Sequence, residues 1–439
     1  MATLAETAPR PQHEIIREDL LRPLRGAGPG YLGVVGVCLL VVAWAGYAWY
    51  RQIVDGIGVA GISRPSYWGF YIVNFVFWIG ISHAGTLISA ILRLTDAGWR
   101  KPVTRAAEAI TVFALMIGGM FPLIHLGRVW LFYWLIPYPN ERLLWPNFRS
   151  PLLWDMTAIF TYVTGSILYL YLPLIPDLAQ TAAHTGGWRA KVYRLLSLNW
   201  KGTDWEWHAL ERAMKLMAVI ILAVAVSVHS VVAFDFSMSI APMWHSTIFA
   251  PYFVAGAIFS GIAALILAMA AIRRFLHLED YLRPMHFDNL AKLLLLMSIV
   301  WLYFTATEHL TVWYGNEHLE LAVLNNRLQG GHAPFFWTMV VCNFVIPFIL
   351  LGIGRLRGIT TAVISGVAVL IGMWLERFLI VVGTLTYPPL PSAWGHYLPS
   401  WVELSITAGT FAGMVLLYLL FVKLFPIIAI WEYEHEAES

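Results

Sequence analysis

Ten apolar runs, each long enough to cross a bilayer, constrain this chain more than any other feature. They fall at residues 31–50, 67–92, 104–136, 151–176, 212–235, 247–273, 289–314, 335–353, 360–384 and 404–428. A helix needs about 20 mostly apolar residues to span the hydrocarbon layer. Within lipid, every backbone N–H and C=O must be satisfied inside the protein, so a span is either a helix or part of a closed barrel. No barrel-like alternation is visible in these runs. The expected fold is therefore all-α, a polytopic membrane protein of ten transmembrane helices. As one helix the third run would reach roughly 50 Å, so a tilt or a kink near Pro122 is expected.

Composition agrees. The chain is 59% hydrophobic and 12% charged, where a soluble domain carries about 25% charged residues. Cys38 and Cys342 lie far apart, each inside an apolar run, and offer neither a metal spacing nor a disulfide argument. The net charge of +2 gives no reason to expect a nucleic-acid partner. The distribution of charge is more informative. Of 28 Lys and Arg residues, 20 fall on the side that holds both termini and 5 on the other. The positive-inside rule then makes both termini cytoplasmic. This divides the chain into an N-terminal tail (1–30), a ten-helix membrane domain (31–430) and a C-terminal tail (431–439). The N-terminal tail has no apolar signal-peptide core. Its stretch "HEIIREDLLRPL" fits a short amphipathic helix at the membrane surface. Loop 177–211 fits another short helix on the same face. The outer loops "IPYPNERLLWPNFRSP" and "YPPLPSAWGHYLPSW" read as ordered caps able to dock another protein.

Against this apolar background the ionisable residues stand out. A charge at the bilayer centre costs about 3 kcal/mol on insertion scales, and such residues usually face the bundle interior. Topology places His125 and Arg128 in the outer part of span three. Asp155 lies about one turn into span four, and His229 and Asp235 lie in the outer part of span five. Glu308 and His309 fall in the outer half of span seven, Glu376 and Arg377 above the middle of span nine, and His83 near the middle of span two. A lone intramembrane His often only bonds a neighbouring helix, and Glu376–Arg377 fits a structural ion pair. Clustered in the outer half, however, His and carboxylates suit quinol chemistry. A quinol presents two oxygens roughly 6 Å apart, and each must lose a proton on oxidation. Histidine titrates near neutrality, and a desolvated carboxylate accepts a proton readily.

At these residues the sequence resembles a known family. The stretches "FWIGISHAGTLISAILRL", "FPLIHLGRVWLFYWLIPYPN", "LWPNFRSPLLWDMTAIFTYVTGSILY", "SVHSVVAFDFSMSIAPMWHSTIFAPYF" and "TATEHLTVWYGNE" are similar to the NrfD/polysulfide-reductase family of membrane subunits. Within it they resemble the ActC type of bacterial alternative complex III. The resemblance implies ten helices in two four-helix bundles plus two peripheral helices, in the bacterial inner membrane. It implies a menaquinol-oxidising subunit that binds no metal or haem itself. His125, Asp155 and Asp235 would line a periplasmic-side quinol site, supported by Arg128 and His229. His83, Glu308, His309, Glu376 and Arg377 are candidates for a proton path. Implied partners are an iron–sulfur subunit, c-type haem subunits, a second NrfD-like membrane subunit of the ActF type and small membrane subunits. A quinone-reducing subunit of another molybdopterin or iron–sulfur complex is the alternative within the family. A haem-b carrier and an ion-coupled transporter are the alternatives outside it.

Overall fold

The computed structural model describes residues 11–136, 143, 145 and 147–438. Residues 1–10 of the N-terminal tail, the last residue, and most of the 137–146 loop with Arg142 lie outside them. The chain opens with α1 (Gln12–Leu21) and the first span, α2 (Pro29–Asp55), followed by α3 (Gly69–Leu94) and α4 (Lys101–His125). α5 (Pro151–Tyr171) continues through a 3₁₀ turn into α6 (Ile175–Ala183); α7 (Gly187–Leu196) then precedes α8 (Asp204–Ser237). Next come α9 (Phe249–Phe275), α10 (Pro284–Gly315), α11 (His318–Leu328), α12 (Ala333–Val340) and α13 (Ile346–Gly352). α14 (Ile359–Leu385), α15 (Trp401–Leu424) and α16 (Ile430–Glu438) complete the order. Counting α5–α6 and α12–α13 as one each, ten segments are long and apolar enough to cross a membrane. Among the described residues there is no strand.

The spans group as two squares. α3, α4, α5 and α8 pack around one bundle, and α9, α10, α12–α13 and α14 around a second; α2 and α15 pair beside α4 and α3. α3 is the central helix, touching α9 and α14 as well as its own bundle. Its apolar window is 94% buried, against 11% for α2. Gly85 allows that centrality. A Cβ there would stand 2.0 Å from the Ala107 carbonyl oxygen, so α3 and α4 meet backbone to backbone, as small residues permit in membranes.

The span made by α12 and α13 is interrupted by a π-helical turn at Val341–Val345. Pro347 has no N–H to give to the Asn343 carbonyl one turn earlier. The Ser298 hydroxyl of α10 donates to that carbonyl instead, at 2.6 Å. A neighbouring helix thus supplies a donor to a carbonyl whose i+4 partner the proline removes.

The chain ends meet on one face. Arg17 of α1 pairs with Glu434 of α16 at 2.7 Å, and Arg100 at the start of α4 reaches Glu432 at 2.9 Å. Beneath them Arg105 and Asp177 form a buried ion pair. Arg105 also donates to the Pro426 and Ile428 carbonyls, and Asp177 accepts from the backbone N–H groups of Ile430 and Trp431. The C-terminal segment is therefore built into the bundle floor. The expected tail helix exists as α1, and α7 provides the helix expected in loop 177–211.

The third apolar run departs from expectation. It is not one kinked span through residue 136: α4 ends at His125, three residues beyond Pro122. Gly127 then takes a left-handed φ of +67°, and Val129–Leu135 winds as a separate 3₁₀ helix. Hydropathy is blind to this break, because the 3₁₀ segment is as apolar as the helix before it. Arg128 is consequently not embedded in a helix. It is exposed in the connection, and among the described residues it makes no ion pair.

Candidate functional site

α4 and α8 end, and α5 begins, on the face opposite α1 and α16. That arrangement carries His125, Asp155 and Asp235 to one end of the first bundle. Asp155 and Asp235 face each other within hydrogen-bonding reach. Asp155 is buried and Asp235 half-buried. One oxygen of each, Oδ1, is buried without a partner, and neither carboxyl meets a cation among the described residues. An ionised carboxylate only accepts hydrogen bonds. A hydrogen bond between these two groups therefore needs a proton on one of them.

His125 stands apart from the aspartates. Its ring packs edge-on to Tyr71 of α3 with centroids 6.3 Å apart. The Tyr71 hydroxyl donates to Gln52 Oε1, and Gln52 Nε2 donates to the Ile124 carbonyl at 2.7 Å. This ties the ends of α2, α3 and α4 together around the histidine. His125 Nδ1 is buried and has no hydrogen-bond partner. The three expected site residues thus share one end of the bundle, but as a carboxyl pair and a separate imidazole. Sequence reading missed Gln52 and Tyr71; Gln52 falls just beyond the first apolar run, between Arg51 and Asp55, and reads there as an ordinary polar helix end.

Deeper in the bundle, His83 and His229 are fully buried with ring centroids 4.5 Å apart. His83 Nδ1 lies 2.6 Å from the Ile79 carbonyl and Nε2 lies 2.8 Å from the Ala225 carbonyl. A neutral imidazole has one N–H, so only the doubly protonated ring makes both bonds. Both nitrogens of His229 lack partners. The rings touch, leaving no room for a haem plane between them. His229, expected to support the carboxyl site, packs against His83 rather than against Asp235.

From this histidine pair a buried polar stripe runs down α3 through Ser82, Thr86, Ser89 and Arg93. Thr111 donates to the Ser82 carbonyl at 2.7 Å, Thr86 donates to Thr111 at 3.1 Å, and Ser89 donates to Glu108 at 2.6 Å. Arg93 ends the stripe 3.7 Å from Glu432. Sequence reading singled out only His83 on this stripe, and took Glu108 for a solvated helix end, whereas Glu108 is buried. The spacing of roughly one turn between these residues was a usable signal for the rest.

The second bundle holds the remaining candidates. Glu376 and Arg377 are buried and ion-paired. Glu376 Oε1 also accepts from the Tyr252 hydroxyl at 2.5 Å and from Trp301 Nε1 at 2.6 Å. Arg377 lies over the Phe253 ring, 4.9 Å from its centroid, and the same ring lies 5.9 Å from His229. Glu308 lies 3.9 Å from Arg327 of α11, which donates to Thr384 at 3.0 Å. His309 Nδ1 bonds the Thr305 carbonyl at 2.8 Å, while its Nε2 is buried without a partner. Tyr252, Trp301 and Arg327 were not anticipated, because their roles depend on which helices become neighbours. Among the described residues no three His, Cys, Asp or Glu side chains are grouped as a metal ion requires.

Fold and site together define a multi-pass membrane protein with ionisable groups gathered inside two helical bundles. The chain belongs to the NrfD polysulphide reductase family, whose pattern matches residues 58–389, more than half of its length. It is similar to a putative dimethyl sulfoxide reductase membrane subunit of Halobacterium salinarum, at 26% identity over 94% of each chain. It is also similar to a selenate reductase subunit of Mesobacillus selenatarsenatis, at 24% identity over 90% of this chain and 92% of the relative. A third relative is an Hdr-like menaquinol oxidoreductase integral membrane subunit of Archaeoglobus fulgidus, at 23% identity over 89% and 92% of the two chains.

Proposed function

We propose that this NrfD-type subunit oxidises menaquinol as the membrane component of a redox complex. The observation that carries the reading is the Asp155–Asp235 carboxyl pair, which meets no cation among the described residues, at the same bundle end as His125, whose Nδ1 has no partner among them. Oxidation of a quinol releases two protons and two electrons. His125 accepts one proton and the carboxyl pair receives the other. The electrons pass to an iron–sulfur partner subunit and then to c-type haems on further subunits. The Lys and Arg distribution supports placing this end on the outer side of a bacterial inner membrane, so the protons leave outward. It likewise favours a cytoplasmic location for both tails.

An ActC-type subunit of alternative complex III, assembled with an ActF-like subunit and small membrane subunits, is the specific form of this reading. We extend the proposal to a proton route from the His83–His229 pair through Arg377 and Glu376 to Glu308 and His309. Arg128, exposed beside the site, has a supporting role only at a partner contact. A second reading runs the chemistry backwards, as quinone reduction within another molybdopterin or iron–sulfur complex. Two of the relatives are named for reductases, which favours keeping it.

The test is turnover of the assembled complex with a soluble menaquinol analogue. His125→Ala and Asp155→Asn should each lower quinol oxidation by about 10²-fold or more while assembly persists. Normal turnover in both variants sinks the assignment. Faster quinone reduction than quinol oxidation under matched driving force would favour the second reading.

A further inference from the structure

A groove unrelated to the proton-handling groups lies where α3, α9 and α15 meet. It has a volume of about 390 Å³, and its walls include Trp78, Ala264, Ala268, Ala271, Phe411 and Met414. The lining has little hydrogen-bonding capacity to offer. Trp78 Nε1 already donates to Thr410 at 3.2 Å, and the Tyr418 hydroxyl donates to the Ala106 carbonyl at 2.9 Å. A quinone ring needs partners for two oxygens and finds none here, whereas a hydrocarbon chain needs none. Along α9 the groove runs from Ala264 to Leu276, roughly 18 Å at the helical rise. That length suits an acyl chain lying parallel to the helices.

The mouth of the groove lies toward the α1/α16 face and is chemically different. Leu276 closes one wall, and Arg22 donates to the Leu276 and His277 carbonyls at 3.1 and 2.9 Å. On the opposite wall Val422 is followed by Lys423, whose Nζ donates to the Pro23 carbonyl at 2.7 Å and to that of Gly26. The segment Arg22–Gly26 is thus pinned across the mouth between α9 and α15. Arg274, exposed in the last turn of α9, makes no ion pair among the described residues. The acids nearby lie at the surface: Asp19 lies 4.0 Å from Arg22, Glu18 lies 3.8 Å from Arg25, and Glu279 and Asp280 follow in the turn after α9. An apolar slot with a cationic rim matches the shape and charge of an anionic phospholipid.

We infer that this groove is a specific site for an anionic glycerophospholipid, with an acyl chain against Ala264–Ala271 and the phosphate between Arg22 and Arg274. The site is independent of the redox reading and of which face is cytoplasmic. Its occupant ties the N-terminal segment to the seam between the bundles and the α2–α15 pair.

The test uses the full chain in its native complex, exchanged into nanodiscs containing phosphatidylglycerol and phosphatidylcholine, with retained lipid counted by native mass spectrometry. The wild type should retain phosphatidylglycerol with a preference of about tenfold or more, from two cations near the phosphate. Ala268→Trp should fill the groove and abolish retention of both lipids. Arg22→Gln with Arg274→Gln should keep a bound lipid but lose the preference. If the tryptophan variant fails to assemble, the charge variant decides alone. An unchanged preference in that variant, undiminished retention in an assembled Ala268→Trp complex, or a prenyl quinone as the retained ligand overturns the inference.

Discussion

In the second bundle Glu376 meets Arg377, Tyr252 and Trp301, and Glu308 lies beside Arg327. In the first, among the described residues, Asp155 meets only another carboxyl, and His125 and His229 keep nitrogens with no hydrogen-bond partner. Both bundles bury ionisable groups at a depth where each is costly. The second sets a cation beside each of its carboxylates, although Glu308 Oε1 and His309 Nε2 stay without a hydrogen-bond partner among the described residues; at the far end of the first, no described cation faces the carboxyl pair. Unsatisfied atoms in an otherwise well-paired interior mark the place where a ligand or proton completes the structure. That difference is why we propose the redox chemistry for the first bundle, and it can be broken experimentally.

The largest expected effect is on the carboxyl pair. Asp155→Asn or Asp235→Asn should each cut quinol turnover by about 10²–10⁴-fold in complexes that still assemble. In the proposed reading the two carboxyls hold a proton as a unit, so the double variant should be little worse than either single one. Multiplicative losses in the double variant would show two independent acids and dissolve the pair.

Next is the second bundle. Arg377→Leu leaves Glu376 buried without its cation and should cost about 3–5 kcal/mol, read as a lower melting temperature or a loss of assembled complex. Replacing both, as Glu376→Gln with Arg377→Met, should recover much of that stability. If Arg377→Leu assembled normally and lost turnover instead, the pair would serve the proposed proton route rather than stability, and the structural side of the contrast would fail.

A smaller effect separates relay from packing at the histidine pair. His229→Phe removes two nitrogens that make no hydrogen bond, so stability should change by less than about 0.5 kcal/mol, the range of a substitution that breaks no named contact. Turnover should nevertheless fall about tenfold if the pair carries protons, equivalent to about 1.4 kcal/mol of barrier. Unaltered turnover would leave His229 as packing.

These outcomes also measure what the sequence alone could reveal. Depth was legible: the charge asymmetry and the ten runs placed His125, Asp155 and Asp235 at one end, where the structure has them. The contact between Asp155 and Asp235 follows once α5 and α8 are neighbours. The orientation of His125 toward Tyr71 was not legible, because it depends on where α4 stops. Gly127 sets that stop within a run whose hydropathy never changes, and the same break carries Arg128 out of the helix. The partners of Glu376 were hidden for another reason: Tyr252 and Trp301 sit on α9 and α10, and only tertiary packing brings them to α14. Ser89, Thr86 and Glu108 were within reach of pattern reading, since polar residues one turn apart on an apolar helix define a buried stripe.

The smallest expected effect lies at the π turn in the second bundle. Ser298→Ala removes the hydroxyl that donates to the Asn343 carbonyl. Side-chain hydrogen bonds between membrane helices average about 0.6 kcal/mol in double-mutant cycles, so the loss should be near that value. The reason for the bond can be tested separately. Pro347→Ala restores an N–H one turn after Asn343 and offers the carbonyl a backbone donor. In that background Ser298→Ala should cost almost nothing, which a double-mutant cycle on thermal stability measures directly. Full additivity would mean that Ser298 stabilises the α10 contact without compensating for the proline.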